Sequence, residues 1–135
     1  HEDCQKGLGH FTGTERRFQK KGEKDGIVVI DDYAHHPTEI RAALAAAKKV
    51  QHKKTWCLFQ PHTYSRTKFL FDEFGEAFEL ADEIIVADIF AAREAFDETI
   101  SAKMLAERIA QAGKDAKYLF YIFYPVHLLI LALLA

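Results

Sequence analysis

The sequence is poor in cysteine and carries no excess of charge of either sign. Cys4 and Cys57 are the only 2 cysteines among 135 residues, too few for a disulfide framework, and this favours a reducing compartment. The formal net charge of −2 does not favour bulk electrostatic attraction to nucleic acid or to an anionic membrane surface. The stretch from His1 to Asp3 is polar and shows no secretory pattern, so we expect a cytoplasmic protein.

Two kinds of binding motif are also missing. Neither the phosphate-binding pattern G-x-x-x-x-G-K-[ST] nor the dinucleotide-binding pattern G-x-G-x-x-G occurs. An enzyme that contained this chain and used ATP would therefore need its phosphate-binding loop elsewhere. Aspartate and histidine lie side by side in residues 31–36, but no spacing matches a closed zinc site, and we predict no metal site.

The residues that are present suffice for one folded domain. Apolar residues make up 49% of the chain and charged residues 28%, which is typical of a soluble domain with a single core. Residues 1–15 are polar and glycine-rich, which indicates a linker or the end of a preceding domain. Residues 16–118 are the predicted domain, and residues 119–135 are an atypical apolar tail. Because position 1 is not methionine, we expect a piece of a longer protein.

Strand-like and helix-like segments alternate through the predicted domain. Apolar, often β-branched runs predict strands, and apolar residues spaced by three and four predict helices. The predicted strands are 27–30, 55–59, 84–87 and 117–120, and the predicted helices are 37–50, 65–80 and 100–112. Because the run at 27–30 does not alternate, it predicts a strand buried on both faces. The pattern predicts an α/β fold with a mostly parallel, Rossmann-like sheet flanked by helices.

Chemically active side chains follow each of the first three strands. Ligands of open parallel sheets bind beyond the carboxyl ends of the strands, so we expect these side chains to share one edge. They are Asp31, Asp32, Tyr33, His35 and His36 after the first strand, Gln60, His62, Tyr64 and Arg66 after the second, and Asp88, Arg93 and Glu94 after the third. This edge is the predicted binding site.

The acidic and histidine residues after the first strand have structural interpretations as well. Asp31 and Asp32 could cap a turn by accepting backbone N–H bonds. His35 and His36 would point in opposite directions in an extended segment. One of the two histidines would then face a ligand, while the other packs or caps the following helix.

The basic residues also have two interpretations. His62 and Arg66 would share a helix face and could simply lie at a solvated helix start. An arginine in the first turn opposes the helix dipole, which favours a carboxylate or phosphate partner for Arg66. The basic cluster around Arg17 could protect an exposed edge strand, or Arg17 could reach a nucleotide phosphate.

Four stretches resemble the C-terminal domain of the Mur ligase family, and in particular its UDP-N-acetylmuramate–L-alanine ligases. The stretches occur in the family's order and at similar separations, and the resemblance covers about residues 5–119. They run from Phe11 to Phe18, from Gly26 to Ile40, from Phe59 to Thr67 and from Asp88 to Glu94.

The resemblance implies an ATP-dependent, amide-bond-forming ligase of peptidoglycan precursor synthesis, which serves cell wall biogenesis, cell division and cell shape. ATP and Mg²⁺ would be used to phosphorylate the muramate carboxylate, and the amine of L-alanine would attack the acyl phosphate. The C-terminal domain would close over a central domain that binds most of the ATP and the Mg²⁺.

The resemblance also implies roles for individual residues. Arg17 would meet the ATP phosphates, and Asp32 would hold the ribose of the nucleotide. The implied L-alanine pocket comprises Tyr33, His36, His62, Arg66 and Arg93. Arg66 would pair with the carboxylate of L-alanine. No catalytic group is assigned to this domain, whose work would be to position the amine and neutralise charge.

Two departures from the family pattern bear on function. Thr63 stands where many members carry arginine, so carboxylate recognition would rest more on Arg66. The family continues beyond residues like Tyr118 with more strand and helix, including a glycine-rich stretch, whereas residues 119–135 are apolar. We expect an ending foreign to the family, from a truncated or frame-shifted gene, in preference to a membrane anchor.

Three hypotheses follow. The favoured one is a ligase fragment that is inactive alone because it lacks the phosphate-binding loop. Its expected partners are small-molecule substrates and the missing N-terminal and central domains of the same protein, with no nucleic acid. The second is a non-catalytic module of the same fold that binds small molecules, and the third is a protein tethered to a membrane by residues 119–135.

Overall fold

The first element of the structure is a β-hairpin. A computed structural model describes residues 14–119, which divide into two units, residues 14–34 and residues 35–119. In the first unit, β1 (Gln19–Lys24) and β2 (Ile27–Asp31) pair antiparallel. Asp25 and Gly26 between the strands both have positive φ, 52° and 80°. Asp-Gly with two positive φ angles is typical of the type I′ turn that closes two-residue hairpins.

The environment predicted for residues 27–30 is wrong, although the strand itself is confirmed. Among the described residues, β2 pairs with β1 alone, in a two-stranded sheet. Ile27, Val28 and Val29 are 68%, 40% and 51% exposed. The turn at residues 25–26 explains the difference, because it reverses the chain so that β2 pairs antiparallel with β1.

The second unit is built on a parallel sheet. Its elements in chain order are α1 (Pro37–Lys48), β3 (Trp56–Phe59), α2 (Tyr64–Phe69), α3 (Phe71–Glu76), β4 (Glu83–Ala87), α4 (Ala102–Gln111) and β5 (Asp115–Leu119). The strand order is β3-β4-β5, and both pairs are parallel. Helices connect the strands, as parallel pairing requires. The predicted α/β fold, with a parallel sheet flanked by helices, is confirmed.

Aromatic and branched side chains fill the core between sheet and helices. The Phe59 ring lies 5.5 Å from the Phe74 ring and 5.2 Å from the Phe78 ring. Leu105 and Ile109, on one face of α4, are both 0% exposed. Burial of each such side chain contributes about 1.5–3 kcal/mol, so α4 is bound firmly to the sheet whose strand ends carry the site.

The predicted helix at 65–80 is two short helices in the structure. The break falls at Leu70, which has φ −105° and ψ 22° and ends α2 while beginning α3. The apolar spacing does not reveal this break, because Leu70 and Phe74 are both buried and satisfy a continuous helical pattern. The other two predicted helices are confirmed with small changes of boundary.

Strand β3 forms one edge of the parallel sheet among the described strands. Trp56 and Leu58 are 57% and 53% exposed, and Lys54 Nζ lies 5.1 Å from the centre of the Trp56 ring. Between them, burial raises the pKa of the Cys57 thiol to about 11. A thiol with this pKa is not a reactive one.

No helix within residues 14–119 is long and apolar enough to cross a membrane. The predictions for residues 1–13 and for the tail from residue 120 onward lie outside the described residues.

Candidate functional site

Asp32 closes the base of the hairpin. Its Oδ2 accepts the backbone N–H of Phe18 at 2.7 Å, and its Oδ1 accepts the N–H of Ala34 at 2.8 Å. The turn-capping role that the sequence left open is therefore observed. Each carboxylate oxygen has a second lone pair, so Asp32 keeps the capacity to accept one further donor per oxygen.

The basic cluster of the hairpin is divided between two environments. The Arg16 guanidinium lies 4.6 Å from the centre of the Tyr33 ring, and its Nε is 3.6 Å from Asp31 Oδ2. Tyr33 is 43% exposed and donates its backbone N–H to the Arg16 carbonyl at 2.8 Å. Arg17 is exposed. Of the two adjacent arginines, Arg16 is engaged within the hairpin, while Arg17 extends into solvent.

In the second unit, His36 is the N-cap of α1. Its Nδ1 accepts the backbone N–H of Thr38 at 3.3 Å, and Glu39 Oε2 accepts the backbone N–H of His36 at 3.2 Å. Pro37 follows at the first helical position, where a missing N–H costs nothing. Because a backbone N–H can only donate, Nδ1 of His36 is an acceptor and the ring proton lies on Nε2.

His62 and Arg66 form a hydrogen-bonded pair. Arg66 Nη1 donates to His62 Nδ1 at 3.3 Å. Partial burial lowers the pKa of His62, and positive charge on Arg66 and His35 lowers it further, while Glu94 acts in the opposite direction. His62 is therefore neutral near pH 7. Its Nδ1 accepts from a guanidinium that can only donate, so its proton also lies on Nε2.

Three side chains of this part of the molecule keep hydrogen-bond donors available. His36 and His62 each have their Nδ1 acceptor occupied and an Nε2–H remaining, and Arg66 has N–H groups beyond the one that binds His62. Donors of this kind, with one positive guanidinium, suit a carboxylate or a phosphate and do not suit an ammonium group.

An open groove adjoins these donors. It has a volume of about 610 Å³ and is lined by His36, Ser65, Arg66, Phe69 and Leu70. Phe69 is 86% exposed, so one wall of the groove is an aromatic ring that faces solvent. The combination of a guanidinium, an imidazole and apolar walls is suited to a small ligand with a carboxylate and an apolar side chain.

His35 was predicted at the binding edge but not in the implied L-alanine pocket, and the structure places it beside one residue of that pocket. The centres of the His35 and His62 rings are 6.2 Å apart, and His35 Nδ1 is 3.6 Å from Glu39 Oε2. His36 caps the helix and lines the groove at the same time. The adjacent-histidine pattern predicted that one histidine would face a ligand while the other packed or capped the helix, whereas the structure gives the cap and the groove lining to the same residue, His36.

A second segment, which follows β4, is bound to the start of α2. His62 and Phe90 form a parallel β-bridge, and Thr63 donates its backbone N–H to the Phe90 carbonyl at 2.9 Å. Glu94 Oε2 accepts the backbone N–H of Ser65 at 2.9 Å, and Glu94 Oε1 accepts the Ser65 hydroxyl. These donors lower the pKa of Glu94, the Ser65 hydroxyl most of all, so Glu94 is ionised.

The other residues predicted at this edge have structural partners or are exposed. Gln60 Nε2 donates to the Asp88 carbonyl at 3.2 Å, and Tyr118 donates its hydroxyl to Asp88 Oδ1 at 2.6 Å. That hydrogen bond raises the pKa of Tyr118 to about 12. Tyr64 packs edge-on against Phe96, with ring centres 5.7 Å apart. Arg93 is exposed, next to Glu94.

Within residues 14–119, no group of three or more histidine, cysteine, aspartate or glutamate side chains is arranged to hold a metal ion.

Comparison with known proteins identifies the family of the chain. Residues 16–122 match the family described as Mur ligase, glutamate ligase domain. Among curated relatives, a UDP-N-acetylmuramate–L-alanine ligase of Clostridium novyi (strain NT) is 55% identical over 113 residues, 84% of this chain and 25% of the relative. One of Acetivibrio thermocellus is 51% identical over 118 residues, 87% of this chain and 25% of the relative. The chain thus spans about a quarter of the length of these relatives.

Solved structures share the fold. UDP-N-acetylmuramate-alanine ligase MurC from Thermotoga maritima has a TM-score of 0.67 and 33% identity, over 85% of this chain and 24% of that one. A murein peptide ligase from Psychrobacter arcticus 273-4 has a TM-score of 0.62 and 26% identity, over 84% of this chain and 23% of that one. The family match covers most of the chain, and the parallel sheet with its helices is common to these structures. The chain therefore belongs to the Mur ligase family, and it corresponds to the C-terminal domain of that family.

Proposed function

We propose that residues 35–119 supply L-alanine-binding groups of a UDP-N-acetylmuramate–L-alanine ligase. The observation that carries the proposal is the set of donors made by Arg66, His62 and His36 beside the groove. A carboxylate accepts from such donors, and a guanidinium can bind both of its oxygens at once. Because none of these groups accepts from an ammonium, the amine of L-alanine would be left free to react.

In the whole enzyme, the reaction would be amide formation. The muramate carboxylate would first be phosphorylated by ATP. The alanine nitrogen would then attack the acyl carbon and form the C–N bond. The bond from that carbon to the phosphate oxygen would break, phosphate would leave, and the nitrogen would release a proton to the departing phosphate or to water. His62, with Nδ1 occupied and a proton on Nε2, has no lone pair to accept the amine proton. Its role would be to orient L-alanine, which is a contribution of positioning.

The hairpin would contribute to the nucleotide site. Asp32 has spare lone pairs for a ribose hydroxyl, and Arg17 is exposed and able to reach a phosphate. Arg93 would join the L-alanine pocket. The phosphate-binding loop and the Mg²⁺ ligands would come from a central domain of the whole enzyme, and the N-terminal and central domains would be the partners of this domain. The activity would belong to cytoplasmic peptidoglycan synthesis, and through it to cell division and cell shape.

Titration of the ¹⁵N-labelled chain by NMR tests the pocket. We expect L-alanine and propionate to shift the signals of Arg66 and His62, because both carry a carboxylate, and L-alaninamide to leave them unchanged. Binding of L-alaninamide as tight as that of L-alanine would show recognition through the amine and would end the proposal.

Charge and fork geometry can be separated at the same site. Arg66→Lys keeps the charge but loses the planar fork, so we expect L-alanine to bind about tenfold more weakly, as for the loss of a charge-assisted hydrogen bond. Arg41→Lys, a matched change of an exposed arginine on α1, should leave binding unchanged. Equal affinities of both variants would remove Arg66 from the pocket.

A turnover assay distinguishes a ligase fragment from a non-catalytic module. The purified chain with ATP, UDP-N-acetylmuramate and L-alanine is expected to produce no ADP. Addition of separately expressed N-terminal and central domains from the Clostridium novyi relative should restore ADP production. Failure to restore it, with L-alanine binding intact, would favour a binding module.

A further inference from the structure

The start of α2 is held by a carboxylate from outside the helix. Among the residues of its first turn, α2 has no acidic side chain, although acids there are favoured by the helix dipole. Glu94, 29 residues along the chain, supplies the missing acid by accepting both the N–H and the hydroxyl of Ser65. A helix of 6 residues has little stability of its own, so contacts of this kind decide its orientation.

Backbone hydrogen bonds join the same two segments. Phe90 donates its N–H to the Pro61 carbonyl at 2.9 Å, and Thr63 donates its N–H to the Phe90 carbonyl at 2.9 Å. The turn at residues 61–65 is therefore attached to residues 90–94 at both ends. We call the contact between Glu94 and Ser65 the Glu94 clamp.

The clamp adjoins the donors proposed to bind L-alanine. Arg66 directly follows Ser65, and its side chain reaches back to His62. Rotation of the first turn of α2 would carry Arg66 with it and break the contact with His62. Both donors of the pair thus depend on the segment that Glu94 holds.

We propose that Glu94 is a positioning residue, which fixes the first turn of α2 so that Arg66 and His62 face one carboxylate together. This inference rests on the proposed function in naming the ligand. Glu94 itself does not bind the ligand, and as an anion it would repel a carboxylate. If Glu94 positions the donors, its removal should weaken carboxylate binding; if it acts only through its charge, its removal should strengthen carboxylate binding. Measured affinities therefore separate the two roles.

Three substitutions of Glu94 separate reach from charge. Glu94→Gln keeps the reach and one carbonyl acceptor but removes the charge, Glu94→Asp keeps the charge but shortens the reach, and Glu94→Ala removes both. If loss of the clamp leaves about a tenth of the molecules with Arg66 correctly placed, the apparent Kd for propionate rises about tenfold. We expect this loss in the Ala and Asp variants and a much smaller change in the Gln variant. Glu98→Gln, an exposed acid on the same segment, is the matched control and should bind like the wild type.

A role through charge alone predicts the reverse. Propionate would then bind more tightly to the Ala and Gln variants and normally to the Asp variant, and this result would overturn the proposal. Misfolding of the Ala variant would not remove the test, since the Asp and Gln variants already give opposite expectations.

NMR spectra of the ligand-free variants distinguish failure of the clamp from failure of the pocket. The amide signal of Ser65, the Nε–H signal of Arg66 and the ring signals of His62 should move in the Ala and Asp variants and stay close to wild type in the Gln variant, apart from a lower pKa of His62. If the wild type binds neither L-alanine nor propionate, the proposed function fails, while these signals still test the clamp. Unchanged Arg66 and His62 side-chain signals in the Ala and Asp variants would overturn the clamp whatever the wild type binds.

Discussion

Thr63 combines a strained backbone with a useful side chain. Its φ of 68° and ψ of 144° lie near a region occupied almost only by glycine, at a cost of about 1–3 kcal/mol. A β-branched residue with positive φ is a genuine outlier. Thr63 is also the N-cap of α2, since its Oγ1 accepts the N–H of Arg66, although at 3.4 Å. At Thr63, the backbone strain therefore lowers the free energy of unfolding, while the helix cap raises it.

Thr63→Gly and Thr63→Ala separate these two effects. Glycine removes the strain of about 1–3 kcal/mol, loses about a few tenths of a kcal/mol for the cap, and costs about 0.5–1 kcal/mol in chain entropy. We expect the free energy of unfolding to rise by about 1 kcal/mol, the balance of those contributions. Alanine loses the cap but keeps the strain, so we expect a fall of about 1 kcal/mol.

Urea unfolding followed by far-ultraviolet circular dichroism measures the difference between the two variants. The glycine variant should be more stable than the alanine variant by about 2 kcal/mol. A glycine variant no more stable than the alanine variant would refute the reasoning, because it would mean that Thr63 bears no strain in solution. Strain retained at a binding site commonly serves function, so we also expect L-alanine to bind Thr63→Gly less tightly.

Three further predictions concern the fold around the site. The phenol of Tyr118, held by Asp88, should ionise near pH 12 in an absorbance titration, and stability should fall as pH rises from 10 toward 12; Tyr118→Phe should abolish this late step. Leu105→Ala should lower the free energy of unfolding by about 2–5 kcal/mol, whereas Met104→Ala, at a position 42% exposed on the same helix, should cost less than about 1 kcal/mol; equal losses would contradict the assigned core. Lysine partners hold the pKa of Glu83 at about 2, so its stabilising effect should be lost as pH falls from 4.5 through 2, and Glu83→Gln should flatten stability over that window.

The parallel sheet and the helix starts could be predicted because they depend on local sequence. The apolar runs at 55–59 and 84–87 lie in β3 and β4. Pro37 marks the first residue of α1, as predicted, whereas the helix predicted from residue 100 begins at Ala102, after the Ser101 cap. Propensity, capping and periodicity act over a few residues, so a single sequence contains them in full.

Two features were harder to predict, each for its own reason. They are the exposed, antiparallel environment of β2 and the Glu94 clamp. The Asp25-Gly26 pair is typical of a hairpin turn, but the β-branched run after it favoured a buried parallel strand. The clamp joins residues 29 positions apart. No local pattern identifies which distant acid will cap a helix whose first turn has no acidic residue. The proximity of His35 and His62 could not be predicted either, because it depends on the tertiary packing of their two segments.

Trp56, half exposed on β3, gives the molecule a built-in optical probe. It is the only tryptophan among the 135 residues, and it belongs to the second unit, while the hairpin of residues 14–34 contains none. Its emission therefore reports the unit that contains the parallel sheet, whereas circular dichroism senses both units. Coincident transitions by the two methods would mean that hairpin and sheet melt together, and an early dichroism change would mean that the proposed nucleotide-binding hairpin opens while the L-alanine site is still folded.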